Sequence, residues 1–209
     1  MKNLNLIYDE TFFKEWGSEH EKYIRSAEII TDKLFDLFKP KKIADLGCGC
    51  GIYSHLFKKK GAEVFALDGV LPPKEYSFPV NIHTQDLTIP FENTFGKFDF
   101  TLCLEVAEHI PESLTDIFIE NILQFSDTLV LSAAPKGQEG HHHVNEQPKR
   151  YWVKKLAEKG FAYNRIKTGL MLEKLKKDKV PFMWMCQQIS FYEKANKEKL
   201  RHGLPLINK

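Results

Sequence analysis

Hydrophobic positions along the chain follow two alternating rhythms. Short apolar runs read as buried strands at Ile43, Ala44 and Leu46, at Glu63–Leu67, Val80–Thr84, Phe98–Leu104 and Thr128–Ser132. Between them, apolar residues recur three or four positions apart, as in Ile24, Ala27, Ile30, Leu34 and Phe38, which predicts an amphipathic helix over Glu19–Phe38. The same spacing predicts helices over Ile52–Lys60, Pro111–Gln124 and Tyr151–Lys159. Pro40, Gly61 and Gly160 stand where these helices should stop. The last third carries weaker patterns: a strand at Tyr163–Ile166, a helix at Leu170–Lys177 and a long final strand at Phe182–Tyr192. Strands alternating with helices imply an α/β fold, with a mostly parallel seven-stranded sheet covered by helices on both faces.

In such a sheet, ligands bind beyond the carboxyl ends of the strands. The distinctive polar residues fall there: Asp45 before the glycines Gly47, Gly49 and Gly51, then Asp68, Asp86 and Glu105, and the histidines 141 to 143. The glycine loop opens into a helix N-terminus, which suits a nucleotide-type ligand. Its spacing departs from the dinucleotide fingerprint, because Ile52 stands where the third glycine belongs, and no Walker lysine follows. Asp68 is placed to accept both hydroxyls of a ribose, and Asp86 an adenine amino group. Asp45 makes the loop unwelcoming to a diphosphate. Carboxylates in this number favour a cationic ligand, such as adenosine carrying a sulfonium and an α-amino group.

Composition removes other classes. Thirty basic residues against 28 acidic leave a net charge of +2, no footprint for nonspecific nucleic-acid binding. The most basic stretches, Lys58–Lys60 and residues 194–209, read as solvated surface. No signal peptide or membrane-length apolar run is seen, and four cysteines form neither a disulfide nor a zinc pattern. Cys103 and Cys186 fall in predicted strands. The expected compartment is the cytoplasm.

These residues resemble the class I S-adenosylmethionine-dependent methyltransferases. DLGCGCG (residues 45–51) is similar to that family's first motif, Asp68 and Asp86 to its two nucleoside-side acids, and LCLEVAEHIP (residues 102–111) to the fourth-strand motif of its ubiquinone-biosynthesis-like branch. The resemblance spans roughly Pro40–Ser132. It implies a Rossmann-like fold and S-adenosylmethionine as cofactor, held by Asp45, Gly47, Gly49, Gly51, Asp68, Asp86, Leu87, Leu104 and Glu105. The motifs of amino-methylating and cytosine-C5 DNA enzymes are missing after the fourth strand.

The acceptor side rests on a second constellation. Glu105, Glu108 and His109 form E-x-x-E-H, and a helical turn starting at Glu105 would put both carboxylates on one face. With His143, they are candidate ligands for a divalent metal such as Mg²⁺. A similar arrangement occurs in small-RNA 2′-O-methyltransferases. Alternatively, Glu105 orients the cofactor while Glu108 and His109 cap the next helix. His143 and His109 are also the two candidate catalytic bases. Tyr8, Phe12, Phe13 and Trp16 form either a lid over the pocket or packing on the sheet edge. Lys149 and Arg150 could meet an anionic acceptor or only water.

The expected organisation is one domain over 1–209, with a helical cap (1–39), a cofactor half (40–132) and an acceptor half (133–209). The expected activity is O-methylation of a small molecule or a sugar or glycan residue. The alternatives are a metal-dependent RNA 2′-O-methyltransferase and a non-catalytic cofactor-binding scaffold or sensor.

Overall fold

The computed structural model describes residues 4–195. The basic stretch singled out above lies outside the described residues from position 196 onward. Seven strands form one sheet: β1 (Lys42–Leu46), β2 (Glu63–Asp68), β3 (Ile82–Thr84), β4 (Phe100–Leu104), β5 (Thr128–Ser132), β6 (Phe161–Tyr163) and β7 (Ser190–Lys194). Their spatial order is β3-β2-β1-β4-β5-β7-β6. Strands β1 to β5 run parallel, and β7 lies antiparallel to both β5 and β6. The order reverses between β1 and β4, so the loops after these two strands diverge and leave a crevice at their carboxyl ends.

Alternation along each strand explains why both faces are covered. Ile43, Phe100, Leu102, Val130 and Phe191 point to one layer, where they pack with Ala27, Ile30 and Leu34 of α3 (Glu21–Phe38). Phe57 of α4 (Ile52–Lys59) and Leu175 of α7 (Arg165–Lys177) complete that layer. Leu46, Cys103, Leu129 and Leu131 point the other way, against Phe118 and Ile122 of α5 (Thr115–Ile122) and Trp152 of α6 (Lys149–Glu158). A strand buried on both faces needs apolar residues at nearly every position, which is why the runs were continuous.

The last third differs from expectation. The residues expected as one long strand split into α8 (Met183–Gln188) and β7, so Cys186 is helical. A short apolar run has no distinguishing period. The segment expected as a strand over Tyr163–Ile166 starts two residues earlier and ends at Tyr163 as β6, and α7 begins already at Arg165. Asn164 explains this: its side-chain oxygen accepts from the Lys167 amide at 2.9 Å and caps α7. At the N-terminus, α1 (Leu4–Ile7) and α2 (Glu10–Glu15) precede α3. No helix among the described residues is long and apolar enough to cross a membrane.

The loop after β1 holds three glycines at positive φ, namely 76° at Gly47, 54° at Gly49 and 82° at Gly51. A Cβ on Gly47 would overlap Val106, and one on Gly51 would lie 2.5 Å from Val80, whereas nothing lies within 4 Å of one on Gly49. Gly49→Ala should therefore cost about 1–2 kcal/mol, the left-handed backbone term alone. Gly47→Ala and Gly51→Ala should cost clearly more. Urea unfolding of the three variants measures this, and equal losses would refute the steric difference.

Candidate active site

A cavity of about 810 Å³ opens at the carboxyl ends of β1, β2 and β4. The chain turns twice to build its cofactor-side wall. The Gly47 and Cys48 amides both donate to the Leu67 carbonyl, at 2.7 and 3.1 Å, which folds the loop back over β2. Asp68 then receives the Gly49 amide at 2.8 Å and the Val70 amide at 3.0 Å. Asp45 accepts from Ser54 Oγ at 2.6 Å across the first turn of α4. Asp86 spends one oxygen on its own turn, accepting from the Thr88 amide at 2.7 Å and the Thr88 hydroxyl at 2.6 Å.

Among the residues expected at the cofactor, Asp45, Gly47, Gly49, Asp68 and Asp86 border this cavity. Leu87, Leu104 and Glu105 do so as well. Gly51 does not: it stands at the N-cap of α4, and its contribution is to the turn.

The opposite wall begins at Glu105, whose φ of 54° puts a non-glycine residue in the left-handed region. The conformation is held from several sides. Its amide donates to Ser132 Oγ at 3.0 Å, and its carboxylate accepts from the Ser132 hydroxyl at 2.6 Å and from Gln138 Nε2 at 3.3 Å. The expected helical turn therefore does not start at Glu105; a short 3₁₀ turn covers Ala107–His109 instead. The Glu108 carbonyl accepts both the Val144 and Asn145 amides, at 3.0 and 2.9 Å, which fastens the histidine loop beside this turn. His143 and His109 consequently meet edge to face, with ring centroids 5.0 Å apart. Gly140 makes room, since a Cβ there would lie 2.5 Å from the His143 ring.

Ligand atoms of Glu108, His109 and His143 lie within 4.8 Å of one another. Glu105, expected as a metal ligand beside Glu108 and His109, stands outside that group, because Ser132 and Gln138 hold its carboxylate. Glu108 is fully buried, and neither of its oxygens has a hydrogen-bond partner of good geometry among the described residues; His109 Nδ1 likewise has none. Burial first, and then the Glu105 charge, hold the Glu108 carboxyl well above the usual range. Burial and the neighbouring His143 lower His109 to about 4, so its imidazole is neutral at physiological pH. His143 Nδ1 is 2.9 Å from Glu146 Oε1. His141 turns away from the pair, with Nε2 at 2.6 Å from the Ile7 carbonyl.

The aromatic lead-in stands on the cavity wall. Tyr8, Phe12, Phe13 and Trp16 all border it, and Tyr8 meets His109 edge to face at 5.8 Å. Lys149 does not reach the site, since its ammonium donates to the Gln187 carbonyl at 3.1 Å. Sequence reasoning missed Tyr23, Tyr53, Gln138, Trp184 and Met185, all on the cavity wall. Tyr23 and Tyr53 lie inside helical, largely apolar patterns that carry no chemical signal, and Trp184 falls in the segment expected as a strand. Gln138, in the polar loop, carried no signal of its own.

The family described as "Methyltransferase domain" matches residues 19–162. The chain belongs to that family. Among curated methyltransferases, the ubiquinone biosynthesis O-methyltransferase of Aeromonas salmonicida (strain A449) is 32% identical over 130 residues, 58% of this chain and 50% of that protein. The chain spans about half the length of the curated relatives it matches. Two solved methyltransferases share the fold. The Burkholderia thailandensis 1,6-didemethyltoxoflavin-N1-methyltransferase, solved with S-adenosylhomocysteine, superposes with a TM-score of 0.62 at 15% identity, covering 92% of this chain and 89% of that one. The magnesium protoporphyrin IX methyltransferase of Synechocystis PCC 6803 gives 0.56 at 21% identity, covering 78% and 90%. The architecture is thus the Rossmann-like fold of S-adenosylmethionine-dependent methyltransferases.

Asp45 gives this methyltransferase fold a pH signature. Burial, opposed by Ser54 and reinforced by the Asp68 charge, pushes its carboxyl up to about 7. The unfolded chain has the ordinary carboxylate value, so between about pH 4 and 7 only the folded state keeps this proton. The stability from this group is full below that window and lost as pH rises through it. Asp45→Asn keeps an acceptor for Ser54 and removes the titration. The fall in unfolding free energy from pH 4.5 to 8 should be smaller in the variant, by at most about 4 kcal/mol. Identical pH slopes in urea titrations of the two proteins would exclude it.

Proposed function

We propose that this chain transfers the sulfonium methyl of S-adenosylmethionine to a hydroxyl oxygen of an uncharged small-molecule acceptor, a sugar or glycan residue included. The observation that carries the reading is a single cavity with the glycine loop and its carboxylates on one side and the His109–His143 pair on the other. In the transfer the methyl C–S bond breaks as the C–O bond forms, leaving S-adenosylhomocysteine, and the hydroxyl proton passes to a base. The protein's work is alignment and proton removal. Asp68 and Asp86 have acceptor capacity for the ribose and the adenine amino group. His109, kept neutral by burial, is a base that is available at physiological pH. The naming of the curated relatives as O-methyltransferases favours oxygen over nitrogen.

An RNA acceptor is disfavoured by the cavity itself. Among the described residues no lysine or arginine borders it, while Asp45, Asp68, Asp86, Glu105 and Glu108 do. Phosphate recognition needs cations. The four cysteines are free and buried, which supports the cytoplasm as the compartment.

A divalent metal fits the same residues. Buried Glu108 oxygens and His109 Nδ1 without partners, close to His143, are what a cation would satisfy. Glu108, His109 and His143 would hold it, and this donor set of two imidazoles and one carboxylate suits Mn²⁺ or Zn²⁺ better than Mg²⁺. Bound there, such an ion supplies Lewis acidity that eases deprotonation of a nearby hydroxyl. Gly140, by leaving space for the His143 ring, keeps that third donor in reach.

Labelled S-adenosylmethionine incubated with fractionated small molecules tests the activity. His109→Ala should lower methyl transfer by about 10²-fold or more. Isothermal titration with Mn²⁺ tests the metal: binding by the wild type and its loss in Glu108→Gln are expected. Turnover unchanged by EDTA would remove the metal and leave His109 as base. Wild-type protein that binds the donor but labels no acceptor pool would favour a non-catalytic sensor.

A further inference from the structure

Glu146 does not border the cavity, yet its carboxylate gathers the loop that does. Oε2 accepts the Gly137 amide at 2.7 Å. Oε1 accepts the Glu139 amide at 2.7 Å and lies 2.9 Å from His143 Nδ1. Both oxygens therefore act as acceptors. His143, and then the two amides, hold this carboxyl below the ordinary range against the opposing effect of burial.

The loop needs such an anchor. Its backbone passes through positive φ at Gly137 (84°), Glu139 (60°) and His142 (53°), and a non-glycine residue persists there only where its surroundings hold it. Gln138 stands between the two anchored amides, and its side chain reaches Glu105 at 3.3 Å. Gly140 leaves room for the His143 ring, since a Cβ there would lie 2.5 Å from both Cε1 and Nε2.

The chemistry of the contact fixes more than position. A carboxylate has no hydrogen to give, so Nδ1 is the donor toward Glu146. A neutral imidazole carries one N–H and one lone pair. With the proton on Nδ1, the lone pair is on Nε2. The Nδ1 edge is turned to a residue off the cavity, while His143 itself borders the cavity. The two side chains are only 11% and 17% exposed, so water competes weakly for the contact.

We propose that Glu146 is a positioning residue: it fixes His143 as the Nδ1–H tautomer, so that Nε2 is the atom this histidine offers to a metal or to the acceptor's hydroxyl proton. The inference rests on the reading of the cavity as a methyl-transfer site, although its first test does not. An imidazole whose other nitrogen donates to a carboxylate is both oriented and made more basic. Proton uptake at Nε2 leaves Nδ1–H on Glu146 and turns the contact into a charge-assisted pair.

Nitrogen-15 spectra of histidine-labelled, metal-stripped protein at alkaline pH read the tautomer directly, with His143 assigned from the His143→Gln variant. The wild type should show His143 protonated at Nδ1, and Glu146→Gln should populate the Nε2–H form. In labelled-methyl assays, Glu146→Gln should lower kcat by about 10- to 100-fold with KM for S-adenosylmethionine unchanged. In a His143→Gln background the same substitution should cost nothing further, because its effect passes through that ring. A wild type protonated at Nε2 would overturn the proposal. Equal losses from Glu146→Gln with and without His143 would also overturn it, making Glu146 a loop anchor only. A wild type with the Nδ1–H tautomer that labels no acceptor would support the Glu146 assignment and count against the proposed reaction.

Discussion

Asp68 is the tie on which the cofactor side depends. Its carboxylate receives the Gly49 amide from the loop after β1 and the Val70 amide from the loop after β2, so one side chain clamps two crossover connections. The clamp works because β1 and β2 pair in parallel with Asp45 beside Ala66 and Leu46 beside Leu67, which brings both strand ends to the same level. It also works because the loop backbone turns through positive φ at three glycines, bringing main-chain amides where side chains would collide. The ligand surface here is therefore largely backbone, shaped by strand register and steric space.

The same geometry creates an electrostatic load. Asp45, Asp68, Glu105 and Glu108 are all pushed above the ordinary carboxylate range, with burial the first cause in every case. Like charges in a dry cavity raise one another further, as Glu105 does for Glu108. A cavity in this condition selects cations, because a positive ligand relieves several carboxyls together. Selectivity for a sulfonium and an ammonium thus follows from a state that is unfavourable while the cavity is empty.

Much of this was legible along the chain. Strands β1, β4 and β5 announced themselves because burial on both faces forces continuous apolar runs, and Asp45, Asp68, Asp86 and Glu105 ended up bordering one cavity because strand ends in a parallel sheet converge. The failures have physical causes. Met183–Gln188 is too short to display a period, so helix and strand look alike there. The left-handed backbone of Glu105 is imposed by Ser132, 27 residues away, and no local pattern encodes it. The pairing of His109 with His143 needs amides 144 and 145 on the Glu108 carbonyl, a long-range contact absent from spacing.

The cap and the acceptor wall form one mechanical unit. His141 holds the end of α1 through the Ile7 carbonyl, Phe12 packs on His141 at 5.1 Å, and Tyr8 packs on His109. The imidazoles proposed for chemistry are thus next to aromatics that line the cavity. Burial lowers His109, keeping it a neutral acceptor of protons.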